Sequence, residues 1–291
     1  MKFRFISEKV AAFSIRAMCR TLGVSPSGYY AWQTRPQPAR AADDERLGRE
    51  IEAAHQVSRG IYGSPRMARE LRAQGRTVST KRIARIMREK GLRGRRRRPY
   101  KATTDSRNTP NIAPNLLARR FVRNKPNEAW VTDVTAVFTG TGWLYLAAVL
   151  DLFSRTVVGW ATSTTNDTPL ALAALNQAVD QRRPKPGLIH HSDRGSPYAS
   201  HDYLKRLNAL GFTPSMSRKG NCWDNAVAES FFASIKVEHL DHERYPSFSA
   251  AHRAIADYIE NFYNPLRRHS TLDYLSPDEF ELRAELATMA A

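Results

Sequence analysis

Residues 129–138 read Ala-Trp-Val-Thr-Asp-Val-Thr-Ala-Val-Phe, a run dominated by β-branched and aromatic side chains. Successive side chains of a strand point to opposite sheet faces, so this run predicts a strand that holds Asp133 rigidly on one face. Two further β-rich runs, 143–150 and 155–162, follow after short turn-forming segments. Three such runs joined by short connections predict an antiparallel meander.

After the meander the chain alternates helical and strand-like patterns. Helices are predicted at 168–181, 200–210, 225–238 and 249–264, and strands at 188–191 and 212–216. This order predicts an α/β core, in which a mixed five-stranded sheet carries helices on its faces.

Two more carboxylates stand in settings that fit one site with Asp133. Asp193 follows the strand predicted at 188–191 and precedes Arg194-Gly195, at the kind of strand end where chemistry is usually placed. Glu229 lies in the helix predicted at 225–238. Three carboxylates brought together raise one another's pKa values unless a cation neutralises them, and hard oxygen ligands suit Mg²⁺. Two such ions, ~3.5–4 Å apart, can activate an attacking oxygen and stabilise the leaving oxygen of a phosphodiester.

The sequence around each carboxylate is more specific than the spacing, because 28 acidic residues offer many accidental triples. The surrounding segments are WVTDVT at 130–135, HSDRGSPY at 191–198 and KGNCWDNAVAESFF at 219–232. They resemble the catalytic core of the DDE transposases and retroviral integrases, where thirty-five residues also separate the second Asp from the Glu. Lys236 and the run YNPLRRHSTLDYLSP at 263–277 narrow the resemblance to second-frame (OrfB) transposases of insertion sequences of family three.

The resemblance implies a ribonuclease-H-like fold in which Asp133 and Asp193 are neighbours and a helix brings Glu229 to them. It implies that these three residues are catalytic and bind two Mg²⁺ ions, for which Mn²⁺ can substitute, and that Lys236 holds the phosphate beside the scissile bond. The implied activity is DNA transposition, in which strands at the element's ends are cleaved and joined to target DNA. Water and then a DNA 3′-hydroxyl serve as nucleophiles. The expected partners are DNA, further copies of the chain on that DNA, and an upstream-frame product joined by fusion or association.

Two other functions fit parts of the same pattern. One is a ribonuclease-H-like nuclease that hydrolyses DNA without strand transfer. The other is a DNA-binding regulator whose core is inactive. Strand transfer in addition to cleavage separates the transposase from the nuclease, and the intact set of three carboxylates argues against the regulator.

The net charge of +17 is distributed unevenly along the chain. Residues 1–124 hold 29 Lys and Arg against 9 Asp and Glu, whereas residues 125–291 hold 16 against 19. A polyanion is therefore attracted by the first part and delivered to an acidic, metal-requiring second part. This asymmetry predicts that the basic half is the DNA footprint.

Two helical segments in the basic half are candidates for DNA binding. Residues 13–32 show a short helix, a Gly-Val-Ser break and a second short helix, a pattern that fits a helix-turn-helix or a plain helical hairpin. A clearer set follows, with a helix at 43–56, another opened by Ser64-Pro65, and a third at 80–90 that Ser79 or Thr80 caps. The third helix carries the predicted DNA-contacting residues Lys81, Arg82, Arg85 and Arg88.

A basic run separates the two halves. It contains Arg95, Arg96, Arg97 and Arg98, and its charge density, interrupted by Gly and Pro, predicts an extended linker whose arginines contact phosphates without reading sequence. The predicted division is an N-terminal helix-turn-helix segment at 1–38, a helix-turn-helix DNA-binding domain at 39–92, the linker at 93–124 and the catalytic core at 125–291.

Composition excludes several other classes of protein. Cys19 and Cys222 are too few for a disulfide framework or a cysteine-rich zinc site, and no Cys-x-x-Cys pair accompanies the eight histidines. Adjacent His190 and His191 should point to opposite strand faces, so at most one can face the site. With no apolar run of 18 residues and no secretory signal at the start, we expect no membrane association and a cytoplasmic, nucleoid-associated protein.

Other residues near the three carboxylates have simpler interpretations. Asp151 and Asp224 are kept outside the triad, and Asp224 is interpreted as a helix cap. Trp223 and the pair Phe231-Phe232 are interpreted as core anchors rather than as base-stacking platforms.

Overall fold

A computed structural model describes residues 1–34, 39–95 and 112–290. Its α-helices are α1 (Lys2–Lys9), α2 (Ile15–Leu22), α3 (Pro26–Thr34), α4 (Ala39–Val57), α5 (Ser64–Ala73), α6 (Thr80–Glu89), α7 (Thr168–Arg182), α8 (His201–Ala209), α9 (Ala226–Glu238), α10 (Phe248–Tyr258) and α11 (Pro277–Met289). Its strands are β1 (Ala129–Thr139), β2 (Gly142–Asp151), β3 (Val157–Ser163), β4 (Ile189–Ser192) and β5 (Thr213–Met216). The chain divides into two compact units, residues 1–53 and 54–291.

The first unit holds a small helical core. Its buried cluster consists of Ile6, Met18, Cys19 and Tyr29. Ser14 caps α2 by accepting a hydrogen bond from the Ala17 amide, and Gly23 ends the helix in the left-handed conformation at φ 61°. The predicted pair of short helices is thus confirmed. Helix α1, which supplies Ile6 to the cluster, was not predicted.

In the second unit, α5 and α6 form the predicted pair of helices joined by a short turn. Gly75 adopts a positive φ of 84° just after α5, and the Ser79 hydroxyl accepts the Arg82 amide at the start of α6. Ile83, Ile86 and Met87 form the buried stripe of α6. The capping and glycine signals in the sequence therefore placed both helices correctly.

The sheet of the second unit has the strand order β3-β2-β1-β4-β5. β1 pairs antiparallel with β2, and β2 with β3, which confirms the meander. β4 pairs parallel with β1 on the opposite side, and β5 pairs parallel with β4. The ribonuclease-H-like mixed five-stranded sheet is therefore confirmed, and β1 is its central strand.

Helices cover both faces of this sheet. On one face α7 packs closely on β3, since a Cβ added at Gly159 would lie 2.4 Å from the Ala174 carbonyl oxygen. Trp130, Val149, Leu175 and Phe212 belong to the apolar cluster on that side. On the other face α9 and α10 contact β1 and β2. The sheet is thus a layer between helices, with β1 at its centre.

The segment that follows the undescribed residues 96–111 is attached to the core. Leu117 is fully buried, and the amides of Leu116 and Leu117 both donate to the Ser215 hydroxyl of β5, at 3.0 and 3.2 Å.

The helix predicted at 249–264 is not a single regular α-helix. Regular α10 stops at Tyr258, and a π turn occupies Ile259–Tyr263.

None of the helices in the described part of the chain combines the length and apolar character needed to cross a membrane.

Candidate active site

Asp133 lies near the middle of the central strand. Neighbouring Thr132 faces the buried side, where its hydroxyl contacts Tyr198 and donates to the Ala148 carbonyl. The half-buried Asp133 side chain therefore points to the opposite face, and its Oδ1 accepts the Val134 amide at 2.8 Å. Period-2 alternation thus fixes the carboxylate on one face of a rigid strand, as the sequence predicted.

Asp193 reaches the same region because β4 runs parallel to β1. The last registered pair is Val131 with His191, so Asp133 and Asp193 each follow it by two residues. Asp193 Oδ1 accepts the Gly195 amide at 2.8 Å, and a Cβ at Gly195 would approach that oxygen to 2.9 Å. Because glycine has no Cβ, the backbone at position 195 can come this close to the carboxylate. The hydrogen bond from its amide holds the Asp193 side chain in place.

Helix α9 brings Glu229 and Lys236 towards β1. The Asn225 side chain donates to the Thr132 carbonyl at 3.1 Å, which anchors the start of α9 one residue from Asp133. Glu229 is half-buried in the first helical turn, where the helix dipole favours negative charge. Seven residues are nearly two turns, so Lys236 lies on almost the same helix face as Glu229.

The electrostatics show that these groups act on one another. Burial raises the pKa of Asp133 well above its usual range, and the charges of Asp193 and Glu229 raise it further. The Val134 amide and Lys236 act in the opposite direction. Burial likewise raises the pKa of Asp193 and lowers that of Lys236. The three carboxylates are therefore electrostatic neighbours, whose ionised forms are costly without a nearby cation.

The arrangement is not an assembled set of metal ligands. In residues 1–34, 39–95 and 112–290 no group of three or more His, Cys, Asp or Glu side chains is close enough together to hold an ion. Asp133 and Asp193 are brought together by the backbone of two paired strands. Glu229 acts on Asp133 from the facing helix.

The two adjacent histidines point to opposite faces, as predicted, and both are structural. His190 contacts the Tyr203 hydroxyl at 3.3 Å on the helix α8 side, and burial lowers its pKa to about 3. His191 bonds Ser215 and Ser217, and burial lowers its pKa to about 4. Both rings are neutral; His191 has a partner at each ring nitrogen, whereas His190 is bonded through Nε2 and its buried Nδ1 has none.

The structure corrects the interpretation of Asp224. Its carboxylate is fully buried and caps no helix. It accepts hydrogen bonds from Arg119 at 2.8 Å, from Asn115 at 2.8 Å and from the Arg218 side chain at 2.9 Å. Arg119 and Arg218 hold the pKa of Asp224 well below its usual range. Because Asn115 and Arg119 lie more than 100 residues away in the sequence, no local signal predicted this cluster.

Trp223 is also corrected, because it is 67% exposed and cannot anchor the core. It lies in the 3₁₀ turn Cys222–Asn225, which precedes α9. Phe231 and Phe232, within α9, are buried as predicted.

Asp151, kept outside the triad, holds the end of β2 by accepting the amides of Asn127 and Phe153. Burial raises the pKa of Asp151 to about 6.

The predicted DNA-contacting residues fall into three groups. On α6, Lys81 and Arg88 are exposed, whereas Arg82 and Arg85 are half-buried. Arg85 pairs with Glu89 at 2.9 Å. Arg95 is held on the second unit, because its guanidinium donates to the Glu238 carbonyl. The remaining members of the run, Arg96, Arg97 and Arg98, lie outside the described residues.

The end of α9 is joined to α5 and to the segment after α10 by buried charges. Arg267 forms two 2.6 Å hydrogen bonds with the Glu238 carboxylate, which also accepts the Tyr258 hydroxyl at 2.7 Å. Arg66 of α5 lies 3.5 Å from the same carboxylate. Arg268, the next residue, pairs with Glu70 of α5. These contacts fix α5 against the helix that carries Glu229 and Lys236.

Known protein families match both the helical region before the sheet and the region that contains the sheet. Models of the integrase core domain match residues 123–222 and 210–277, and a model of the HTH-like domain matches residues 42–100. Transposase InsF for insertion sequence IS3A from Escherichia coli K12 is 41% identical, covering 97% of this chain and 98% of the relative. The 31 kDa protein of insertion element IS600 from Shigella sonnei is 44% identical over 94% of this chain and 100% of the relative.

A solved structure also matches. The catalytic core domain of HTLV-2 integrase, in complex with magnesium, is 18% identical, with a TM-score of 0.42 over 54% of this chain and 97% of that one.

Proposed function

This chain belongs to the IS3 family of insertion-sequence transposases, and we propose that Asp133, Asp193 and Glu229 are the residues with which it cleaves and joins DNA strands. The observation that carries the proposal is their placement: Asp133 and Asp193 each lie two residues past the paired Val131 and His191, and the charges of Asp193 and of Glu229 on α9 both raise the pKa of Asp133. Asp133 and Asp193, placed by the paired strands β1 and β4, form an acidic site on one face of the sheet together with Glu229 on the facing helix α9.

The donor set fits a hard divalent cation, and we propose Mg²⁺, with Mn²⁺ as a substitute and two ions per site. Asp133, Asp193 and Glu229 offer only oxygen donors, which these ions prefer. The raised pKa values of Asp133 and Asp193 indicate a place where positive charge is needed. When bound, the ions supply stabilisation of the attacking and leaving oxygens of an in-line phosphoryl transfer. No covalent enzyme intermediate is required, so no Ser or Tyr nucleophile is proposed.

Lys236 is proposed to hold the phosphate next to the scissile bond. It shares a helix face with Glu229, and Asp133 is among the groups that keep its ammonium charged. Burial partly desolvates the ammonium, which strengthens its interaction with an incoming phosphate oxygen. The paired strands β1 and β4 thus place Asp133 and Asp193, and α9 adds Glu229 and the ammonium of Lys236 beside them.

DNA recognition is assigned to the basic half, with the domain boundaries given above. We propose that Lys81, Arg82, Arg85 and Arg88 of α6 contact the element's ends, some of them at base edges. The run 95–98 is proposed to contact phosphates only. A homo-oligomer on DNA, an upstream-frame partner and a nucleoid location complete the proposal.

The proposal is tested by replacing each carboxylate with its amide. Asp133→Asn, Asp193→Asn and Glu229→Gln should each abolish cleavage and joining of a labelled DNA that carries the element's ends, assayed with Mg²⁺. Affinity for the same DNA should stay within a few-fold, since the lost group is not a phosphate contact. Asp202→Asn, at an exposed position of α8, is the matched control and should retain activity. Near-normal cleavage by any one of the three variants would remove that residue from the site.

A further inference from the structure

A cavity of about 480 Å³ lies beside α9 and is lined by four arginines. They are Arg66, Arg95, Arg155 and Arg267. Among the described residues that line it, the one carboxylate is Glu238. Because Arg267 already satisfies that carboxylate with two 2.6 Å hydrogen bonds, the cavity wall carries an excess of positive charge.

Among these arginines, Arg155 has a buried guanidinium nitrogen that lacks a hydrogen-bond acceptor. Its Nη2 donates to the Phe121 carbonyl at 3.0 Å, but its Nη1 is buried without a hydrogen-bond partner. A buried donor without an acceptor costs free energy, and more so when it carries charge. The residue also adopts a left-handed backbone with φ of 65°, an uncommon conformation for a side chain of this size. An anion entering the cavity could supply the missing acceptor.

The remaining polar lining is made of donors that suit a tetrahedral oxyanion. Hydroxyl groups come from Ser230 on α9 and from Ser270 and Thr271, while the Ser234 hydroxyl already donates to the Ser230 carbonyl at 2.9 Å. Guanidinium groups bind phosphate oxygens with paired, charge-assisted hydrogen bonds, and hydroxyls complete such sites. We propose that this cavity binds a phosphate group, and that in the working transposase the phosphate belongs to the backbone of bound DNA.

The cavity is separate from the acidic site. The α9 residues that line it include Ala226, Ser230 and Ser234, which recur every four positions along one stripe. Glu229 and Lys236 lie on a different face of the same helix, and neither lines the cavity. Since Arg66 belongs to α5, a phosphate held here touches both the helix pair that is proposed to recognise the ends and the helix that carries Glu229. Only the identity of the phosphate as DNA rests on the proposed function.

The test uses the full chain and two phosphate sources. Arg155→Gln removes one of the four guanidinium charges that line the cavity, Arg155→Lys retains a positive charge at that position, and Arg123→Gln is the matched control. Arg123 is another half-buried arginine with nitrogens that lack partners, but it does not line the cavity. The first measurement is the rise in melting temperature when inorganic phosphate replaces chloride at constant ionic strength. The second is the slope of log affinity against log salt for DNA carrying the element's ends.

Phosphate should raise the melting temperature of the wild type, Arg155→Lys and Arg123→Gln, and not that of Arg155→Gln. The salt slope of Arg155→Gln alone should fall by about 0.9, the loss of one phosphate contact. If the stabilisation by phosphate disappears in Arg155→Gln while its slope is unchanged, the ligand is a free phosphate and the DNA assignment is overturned. If phosphate acts equally on all variants, or on none, the site itself is overturned.

The phosphate proposal and the carboxylate proposal can be refuted independently of each other. Asp133→Asn should keep both the stabilisation by phosphate and the full salt slope, whatever its effect on cleavage. A failure of the carboxylate assignment therefore leaves these two measurements unchanged.

Discussion

The buried pair of Glu238 and Arg267 should be essential to the stability of the second unit. Their side chains are only 7% and 5% exposed, and the two hydrogen bonds between them are 2.6 Å long. Arg267→Ala removes the guanidinium and leaves a carboxylate at the end of α9 with two partners, the Tyr258 hydroxyl at 2.7 Å and Arg66 at 3.5 Å.

The magnitude follows from what remains around the carboxylate. Removing one member of a buried ion pair costs about 3–5 kcal/mol, because the other charge stays buried. Since Tyr258 and Arg66 still contact Glu238, we expect the lower end, about 3 kcal/mol in the free energy of unfolding. For a unit of this size that loss corresponds to a fall in melting temperature of ~6–12 °C. Replacing both residues together, as Glu238→Leu with Arg267→Met, should recover most of it, since an apolar pair leaves no buried charge.

The pH dependence of the stability loss in Arg267→Ala gives a second test, because its direction can be predicted. Burial alone would raise the pKa of Glu238, but the charge and hydrogen bonds of Arg267 outweigh it and hold the pKa below its ordinary value. In the wild type this group therefore stabilises the fold above its unfolded-state pKa, and that contribution is lost as pH falls through the folded-state pKa. In Arg267→Ala burial should prevail and raise the pKa. The variant's deficit should then shrink as the pH is lowered from about 7 to about 5.

The assay is urea unfolding followed by tryptophan fluorescence, for wild type and variant at both pH values. Arg253→Ala, at an exposed position of α10, is the control and should cost little. A loss below about 1 kcal/mol for Arg267→Ala, or a deficit that grows as the pH falls, would refute the reasoning, because either result means that Glu238 is not buried with Arg267 as its main partner.

Two further predictions concern the start of α9 and the face of α6. Asp224→Asn should slow strand cleavage more than it weakens DNA binding, because the carboxylate anchors the turn that leads into α9; cleavage and affinity are measured together, with exposed Asp180→Asn as the comparison. Arg82→Ala should weaken binding to the element's ends relative to scrambled DNA by about 1–3 kcal/mol if it contacts guanine. Paired titrations on the two DNAs decide this, and equal losses on both would limit Arg82 to the phosphate backbone.

Elements with strong local signals could be predicted from the sequence. The alternation in β1 placed Asp133 on one face, and Ser79 with Gly91 bounded α6 closely. The parallel neighbour β4 was predicted as a strand from its short apolar run. Local periodicity, capping residues and turn glycines act within a few positions, and a single sequence displays them directly.

Features that depend on distant partners could not be predicted in this way. Helix α1 lacks a side-chain cap, and it contributes only Ile6 and part of Phe3 to the core, so its local signal is weak. Asp224 was interpreted as a cap from its position just before a helix, since its distant partner Arg119 meets it only after folding. Trp223 seemed apolar enough for the core, but the 3₁₀ turn places it outside the phase of α9. The Glu238–Arg267 pair, 29 residues apart, likewise has no local signature.

The pairing of β1 with β4 also determines how early in synthesis the proposed acidic site can form. Val131 and His191 are partners although 60 residues separate them, and Arg267 reaches back to Glu238 later still. A ribosome adds about 5–20 residues per second, so a nascent chain spends several seconds with its first acidic strand made and the neighbouring strand absent. During that interval the basic half has already emerged and can associate with DNA. The proposed acidic site needs β4 and α9, and Arg267 is made later still. Until synthesis has passed all three, such a chain can bind DNA but has no complete acidic site.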